Sequence, residues 1–206
     1  MDSDIEMYLC YIGPHSNRLA HKGRTVIPMS KRVLIISGSP RRGNSDMLCE
    51  EFRRGAVEEG NEVEKVDLRS KRIGFCRGCY RCTEKGRCVI DDDVPAIVDA
   101  IHDADVIVMA SPVYFYSIDA QLKAVIDRCV SRWTEMRDKQ FYYIATAAED
   151  TEVVADCTIQ CMRGLADCLD GSVEKGIILG KGVHEAGEVE GTEAMREAYE
   201  MGRRVR

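Results

Sequence analysis

The sequence predicts a doubly wound α/β domain: a five-stranded parallel sheet of order 2-1-3-4-5, with a cysteine-rich insertion after the second strand. Three observations predict it. Short apolar runs rich in β-branched residues alternate with amphipathic stretches from Val33 to the C-terminus, as in chains of βαβ units. The leading runs, such as Val33-Leu34-Ile35-Ile36, are continuously apolar, as strands covered on both faces must be. The first run stops at a Ser/Gly/Asn-rich turn, where sheets of this kind bind ligands beyond the carboxyl ends of their strands.

The elements follow in order. Residues 33–36 form the first strand. A helix is expected over about 45–59, with Met47, Leu48, Phe52, Ala56 and Val57 on its buried face and Gly60 ending it. Residues 63–68 read as the second strand, and residues 69–92 as a cysteine-rich loop without period. Asp93 looks like an N-cap, with Pro95 just inside a helix to about His102. Residues 106–110 are the most apolar run and predict the central strand. A loop over 111–119 leads to a helix over 120–132 with Leu122, Val125, Ile126 and Cys129 as its stripe. Residues 141–145 give the fourth strand, 152–169 a helix, 172–179 a weaker fifth strand and 193–204 a closing helix. Residues 1–30, with Gly13, Pro14, Gly23 and Pro28 and no sustained period, read as a partly disordered extension. Residues 31–206 are then one domain.

Composition narrows the function. The 206 residues are 45% hydrophobic and 31% charged, with a formal net charge of -6. An acidic chain argues against generic nucleic-acid binding and against a polybasic membrane contact. No apolar run approaches the roughly 20 residues that span a bilayer, and the N-terminus starts acidic rather than as a signal peptide. The expected compartment is the cytoplasm, where disulfides are rare, so the ten cysteines need another account.

The first turn reads Ser37-Gly38-Ser39-Pro40-Arg41-Arg42-Gly43-Asn44-Ser45. A phosphate there would meet free backbone N–H groups and the positive end of the helix dipole. Ser39, Asn44 and Ser45 add donors, an arginine adds charge, and Gly38 and Gly43 allow close approach. It is neither a Walker A loop nor a GxGxxG fingerprint. After the third strand, Pro112-Val113-Tyr114-Phe115-Tyr116-Ser117 sets three aromatics at the same sheet edge. Such a loop suits a flat ring, or a hydrophobic corner over the core.

Cys76, Cys79, Cys82 and Cys88 form C-x2-C-x2-C-x5-C. The first three have the spacing of a [4Fe–4S] run. Arg77, Arg81, Lys85 and Arg87 would offset the charge of cluster and thiolates. Zinc, which favours two separated knuckles, and a metal-free loop are the alternatives. Cys49 and Cys129 read as core, and Cys157, Cys161 and Cys168 as buried small residues of one helix. Cys10, His102 and His184 have no assignable role. The run Asp91-Asp92-Asp93 reads as helix capping.

These segments together resemble the NADPH-dependent FMN reductase and iron–sulfur flavoprotein group of flavodoxin-like proteins. The resemblance rests on the turn over 37–45, the Ser-Pro-Val-Tyr-Phe stretch from Ser111, the helix motif over 121–128 and the glycine-bounded stretches 176–180 and 187–191. It implies a flavodoxin-like fold and FMN held by Ser37, Ser39, Pro40, Arg41, Gly43, Asn44 and Ser45. The ring would lie along Pro112, Val113, Tyr114, Phe115, Tyr116 and Ser117. In this sequence Lys123, Asp127 and Arg128 read as structural charges on a solvated or capped face. The loop 146–149 lacks the glycines expected for a further flavin contact. The resemblance implies a homodimer or homotetramer, and a [4Fe–4S] cluster on the four cysteines that passes electrons between a carrier such as ferredoxin and the flavin. The alternatives are a cluster-free NAD(P)H-dependent FMN or quinone reductase, with the nucleotide stacking on the flavin, and a non-enzymatic metal or thiol redox sensor. In every case but the last, a small-molecule acceptor completes the reaction.

Overall fold

A computed structural model describes residues 30–151 and 153–206. The extension and Cys10 lie outside the described residues, apart from Ser30, as does Glu152 at the expected start of one helix.

The five strands are β1 (Arg32–Ser37), β2 (Glu62–Asp67), β3 (Val106–Pro112), β4 (Gln140–Thr146) and β5 (Val173–Gly180). They form one sheet of order β2-β1-β3-β4-β5, and every pairing is parallel. The helices are α1 (Asn44–Glu58), α2 (Arg81–Lys85), α3 (Val94–Asp103), α4 (Ala120–Arg128), α5 (Val153–Asp167) and α6 (Glu193–Arg203). The chain therefore has the expected flavodoxin-like architecture.

Alternation along the strands divides the core between the two faces. Leu34 and Ile36 of β1 join Ile107, Met109, Phe141 and Tyr143 under α3, α4 and α5. Val33 and Ile35 point the other way, with Val106, Val108, Tyr142 and Ile144, under α1 and α6. Phe52 of α1 meets Tyr142 edge-on at 5.0 Å between centroids, a favoured aromatic geometry.

Several local expectations change. Val57 is 46% exposed, and Cys49 takes its place on the buried face of α1. The helix after β3 ends at Arg128 and continues only as two 3₁₀ turns. One turn of helix, α2, interrupts the cysteine loop, capped by Gly86 in the left-handed region. Cys157 is exposed and Cys161 and Cys168 are only partly buried, because the buried stripe of α5 runs through Ala155, Thr158, Ile159, Met162 and Leu165. Asp93 occupies the N-cap position of α3 but makes no side-chain cap. Its carboxylate accepts from Arg72 N at 2.6 Å, and Asp92 accepts from Val94 N instead.

Helices α1 and α6 touch backbone to backbone. A Cβ on Gly55 would lie 2.2 Å from Tyr199 O, and one on Gly202 would lie 2.1 Å from Phe52 O. Gly164 on α5 has nothing within 4 Å. The two kinds of helical glycine should therefore respond with opposite signs. Gly202→Ala should lose about 1–3 kcal/mol through overpacking. Gly164→Ala should gain up to about 1 kcal/mol from helix propensity. Urea midpoints of the two variants check this, and a gain for Gly202→Ala would refute the packing account.

Candidate active site

The β1–α1 turn, the loop after β3 and the end of β4 enclose a cleft at the carboxyl edge of the sheet. Ser39, Arg41, Asn44 and Ser45 line one side, and Pro112, Val113 and Tyr114 another. Thr146, Ala148, Val183 and His184 complete it. Two stretches far apart in sequence meet here because β1 and β3 are neighbours, with Ser37 opposite Ala110. No carboxylate is among the described residues lining the cleft, and the first turn of α1 opens into it. That is the electrostatic setting of an anion site.

The side chains of the turn are already in use. Ser39 Oγ donates to Arg41 O at 2.8 Å. Ser45 Oγ meets Thr146 Oγ1 at 2.6 Å and ties α1 to the end of β4. Asn44 donates to Glu185 O at 2.8 Å and accepts from Gly187 N and Val189 N at 3.0 and 3.3 Å. Arg41 donates from its guanidinium to the His184 carbonyl. Asn44 and Arg41 thus pin the loop after β5 against the turn, and the free donors offered to a ligand are chiefly backbone N–H groups of α1.

Not every expected residue lines the cleft. Ser37, Pro40, Gly43, Phe115, Tyr116 and Ser117 lie outside its lining. Ser37 Oγ is buried without a hydrogen-bond partner among the described residues. Tyr114 and Ser117 exchange both backbone hydrogen bonds, at 2.9 and 3.0 Å. Phe115 and Tyr116 form the tip between them with φ of 49° and 60°, a left-handed geometry that costs non-glycine residues free energy. Phe115 is fully exposed there. His184, to which the sequence assigned nothing, lies in the cleft. Its signal was too weak to find, because only the packing of the post-β5 loop brings it there.

Asp119 was read only as the end of a loop, yet it is 1% exposed and organises the floor. Its Oδ1 accepts from Leu122 N at 2.9 Å, capping α4. Ser111 Oγ donates to its Oδ2 at 2.9 Å and accepts from Asp119 N at 2.9 Å. A Cβ on Gly38 would fall 2.0 Å from Oδ2, so only glycine fits in the turn above it. Burial pushes the carboxyl above the ordinary aspartate range, against the hydrogen bonds from Leu122 N and Ser111. The recoverable signal was an Asp immediately before a helix.

Arg128 also departs from its expected place. Instead of a solvated face it occupies a buried one, with its side chain 1% exposed and paired to Asp92. It donates to Gly74 O at 3.1 Å and Ile90 O at 3.5 Å, while Asp92 accepts from Gly74 N at 2.6 Å. The pair closes the neck of the cysteine loop. Burial pushes Asp92 up, but Arg128 and the N–H groups of Gly74 and Val94 hold it below the usual carboxylate range. Burial disfavours the Arg128 charge, but Asp92 and the nearby Cys88 keep its pKa above the ordinary arginine value.

Beyond the neck the four thiols do not converge. Cys76 and Cys79 are exposed, Cys82 buried and Cys88 half-buried. Among the described residues no group of three or more His, Cys, Asp or Glu is arranged to hold a metal ion. Burial raises the Cys82 thiol, with the neighbouring Cys88 and Cys79 adding to the rise. The loop in this conformation does not fit a cluster.

Asp119 makes a pH signature. Its folded-state value lies above the unfolded one, so between the two the folded chain binds more protons, and stability falls as pH rises through the raised value. Asp119→Asn keeps the cap and removes this titration. Its denaturation midpoint relative to wild type should rise as pH increases through the acidic range, then level off. Asp119→Ala should cost about 1–3 kcal/mol by leaving buried partners unsatisfied. Parallel pH profiles for wild type and Asp119→Asn would refute the buried-carboxylate account.

Comparison with known proteins agrees with the fold. The NADPH-dependent FMN reductase family matches residues 31–164. An iron-sulfur flavoprotein of Methanocaldococcus jannaschii is 45% identical over 98 residues, which are 47% of this chain and 51% of that protein. An iron-sulfur flavoprotein of Archaeoglobus fulgidus is 39% identical over 98 residues, 47% of this chain and 44% of that protein. The chain thus spans about half the length of the curated relatives it matches. Among solved structures, an FMN-dependent NADH-azoreductase from Bacillus anthracis in complex with FMN superposes with a TM-score of 0.65 at 16% identity, over 83% of this chain and 97% of that one. At that identity the likeness speaks for the fold alone. No described helix is long and apolar enough to cross a membrane. With the family match covering residues 31–164, most of the chain, the protein belongs to the NADPH-dependent FMN reductase family.

Proposed function

We propose that the cleft binds FMN and that the protein moves electrons from NAD(P)H, or from a carrier such as ferredoxin, to a small-molecule acceptor. The observation that carries this reading is the cleft itself: the first turn of α1 opens into a lining with no carboxylate among the described residues, opposite Pro112, Val113 and Tyr114. The donor set fits the phosphate of FMN. Backbone N–H groups of α1 with Ser39 and Ser45 would hold the phosphate, and Arg41 would add charge beside it. Pro112, Val113 and Tyr114 would flank the ring, with Thr146 and Ala148 at its edge. Asn44 acts one step removed, by holding the loop of Glu185, Gly187 and Val189 in place. The bound flavin would itself supply hydride acceptance and electron release, so the chain need supply no acid or base. NAD(P)H would stack on the open side of the cleft without a second nucleotide fold.

Ser45→Asp tests the phosphate position, since it sets a carboxylate at the mouth of α1. FMN affinity, followed by flavin fluorescence, should drop by at least about tenfold, or about 1.4 kcal/mol. Unchanged affinity would sink the assignment.

A second reading has the loop carry a [4Fe–4S] cluster on Cys76, Cys79, Cys82 and Cys88. It is supported by the spacing of the cysteines and by the iron-sulfur flavoprotein relatives. The thiols would have to regroup above the neck that Arg128 and Asp92 close. Anaerobic reconstitution with iron and sulfide should then load about four irons per chain, and Cys79→Ser should lose iron while retaining FMN. A chain that takes up FMN but no iron, and is reduced directly by NADPH, is the cluster-free reductase.

A further inference from the structure

Two thiols stand outside the cleft lining and the cysteine loop. Cys157 and Cys161 lie one turn apart on α5, at i and i+4. Both are free of disulfides, Cys157 exposed and Cys161 half-buried. Residues at this spacing sit side by side on a helix, with Cβ atoms about 5–6 Å apart. A side chain at position 164 would lean back over Cys161, because helical side chains point toward the N-terminus. Gly164 stands there, and a Cβ added to it would meet nothing within 4 Å, so the approach to Cys161 from that side is open. Cys161 also touches the wall of the cleft. Its Sγ lies 3.7 Å from Ser117 Oγ. Ser117 in turn exchanges both backbone hydrogen bonds with Tyr114, which lines the cleft.

We propose that Cys157 and Cys161 form a two-coordinate site for a soft monovalent cation of the Cu(I) class, coupled through Ser117 to the cleft. Geometry decides between the bonds that two thiols can make. A disulfide needs Cβ atoms about 3.5–4.5 Å apart, closer than an intact helix brings i and i+4. A linear S–Cu–S bridge, at a metal–sulfur length of about 2.3 Å, spans about 4.6 Å between sulfurs. Rotation about the two Cα–Cβ bonds reaches that span with the helix unbroken. Ligand number decides the ion. Thiolates select soft ions such as Cu(I), whereas zinc would need two further ligands. Among the described residues no group of three or more His, Cys, Asp or Glu is arranged to supply them. Cys168 lies seven residues beyond Cys161 on the same helix and strand connection, about 10 Å along the axis and out of reach. On binding, each thiol releases its proton to solvent and each sulfur donates a lone pair to the metal, with no electron transferred. The bond to Cys161 engages the sulfur that faces Ser117, so loading the site changes the support of the loop that carries Tyr114.

The site stands on the two thiols, and only its effect on the cleft rests on the FMN reading. Anaerobic titration of the full chain with Cu(I), against a chromogenic Cu(I) chelator, is the test. The loop cysteines also take up Cu(I), so wild type is compared with Cys157→Ser/Cys161→Ser and with Cys76→Ser/Cys79→Ser/Cys88→Ser. The α5 variant should bind about one Cu(I) per chain fewer than wild type, with its denaturation midpoint unchanged. The loop variant should keep that Cu(I). Within the loop variant, Cys157→Ser should weaken the remaining site by at least about tenfold, because one thiol cannot hold a two-ended bridge, whereas Cys168→Ser should leave it intact. Loading should change FMN affinity, followed by flavin fluorescence, in the loop variant and not in the α5 variant. The proposal is overturned if the α5 variant binds as much Cu(I) as wild type, or if Cys168→Ser costs as much affinity as Cys157→Ser. Mild oxidation that joins Cys157 to Cys161 in a disulfide within the folded chain also overturns it. Unchanged FMN affinity on loading overturns the coupling to the cleft. Failure of every form to bind FMN would fault the flavin reading, while the copper titration would still report on the thiols.

Discussion

The buried carboxylate of Asp119 is the constraint on which the edge of the cleft depends. One side chain caps α4, holds Ser111 at the end of β3 and sets the space beneath Gly38 in the β1–α1 turn. The end of β3, the start of α4 and the distant β1–α1 turn are thereby brought to one level. The cleft can form only if the turn after β1 and the loop after β3 keep their relative height, and hydrogen bonds to a charged group are among the stronger polar contacts available for that. The burial that makes these bonds strong also raises the cost of ionising the group. Shape and electrostatics of the floor are therefore set together.

Helix α4 carries this order across the molecule. Its nine residues span about 14 Å at the usual rise. Each end is fixed by a buried charged side chain, Asp119 beneath the cleft and Arg128 at the neck of the cysteine loop. A buried ion pair gains little net stability over an apolar replacement, but losing one partner is costly. Its consequence here is geometric: the neck between Gly74 and Ile90 is tied to the same helix that supports the cleft. Above the neck, Cys76 and Cys79 lie exposed, whereas Cys82 is buried and Cys88 half-buried.

The opposite face obeys a different rule. There α1 and α6 approach until Gly55 and Gly202 touch the facing backbone. That approach seats the N-terminus of α1 over the sheet edge. It also lets the loop between β5 and α6 reach Asn44 and Arg41.

By itself the sequence determined the sheet, its order and the two loops that meet at the cleft. Continuous apolar runs admit few burial schemes, and a turn rich in Ser, Gly and Asn after the first strand has a fixed place in such a sheet. Ser39, Arg41, Asn44, Ser45, Pro112, Val113 and Tyr114 were legible for that reason. The roles of Asp119, Arg128 and His184 were not, because each has a partner 8 to 143 residues away, and no local period records such a distance; only the Asp119 cap on Leu122 left a local signal. A charged residue beside an apolar stripe reads as solvated until a second element covers it, as the cysteine-loop neck covers Arg128. Tertiary structure alone decided that Asn44 braces a loop rather than presenting its amide to the cleft, and that four closely spaced cysteines can stand apart. Spacing limits how near side chains can come, whereas packing and hydrogen bonding decide whether they meet.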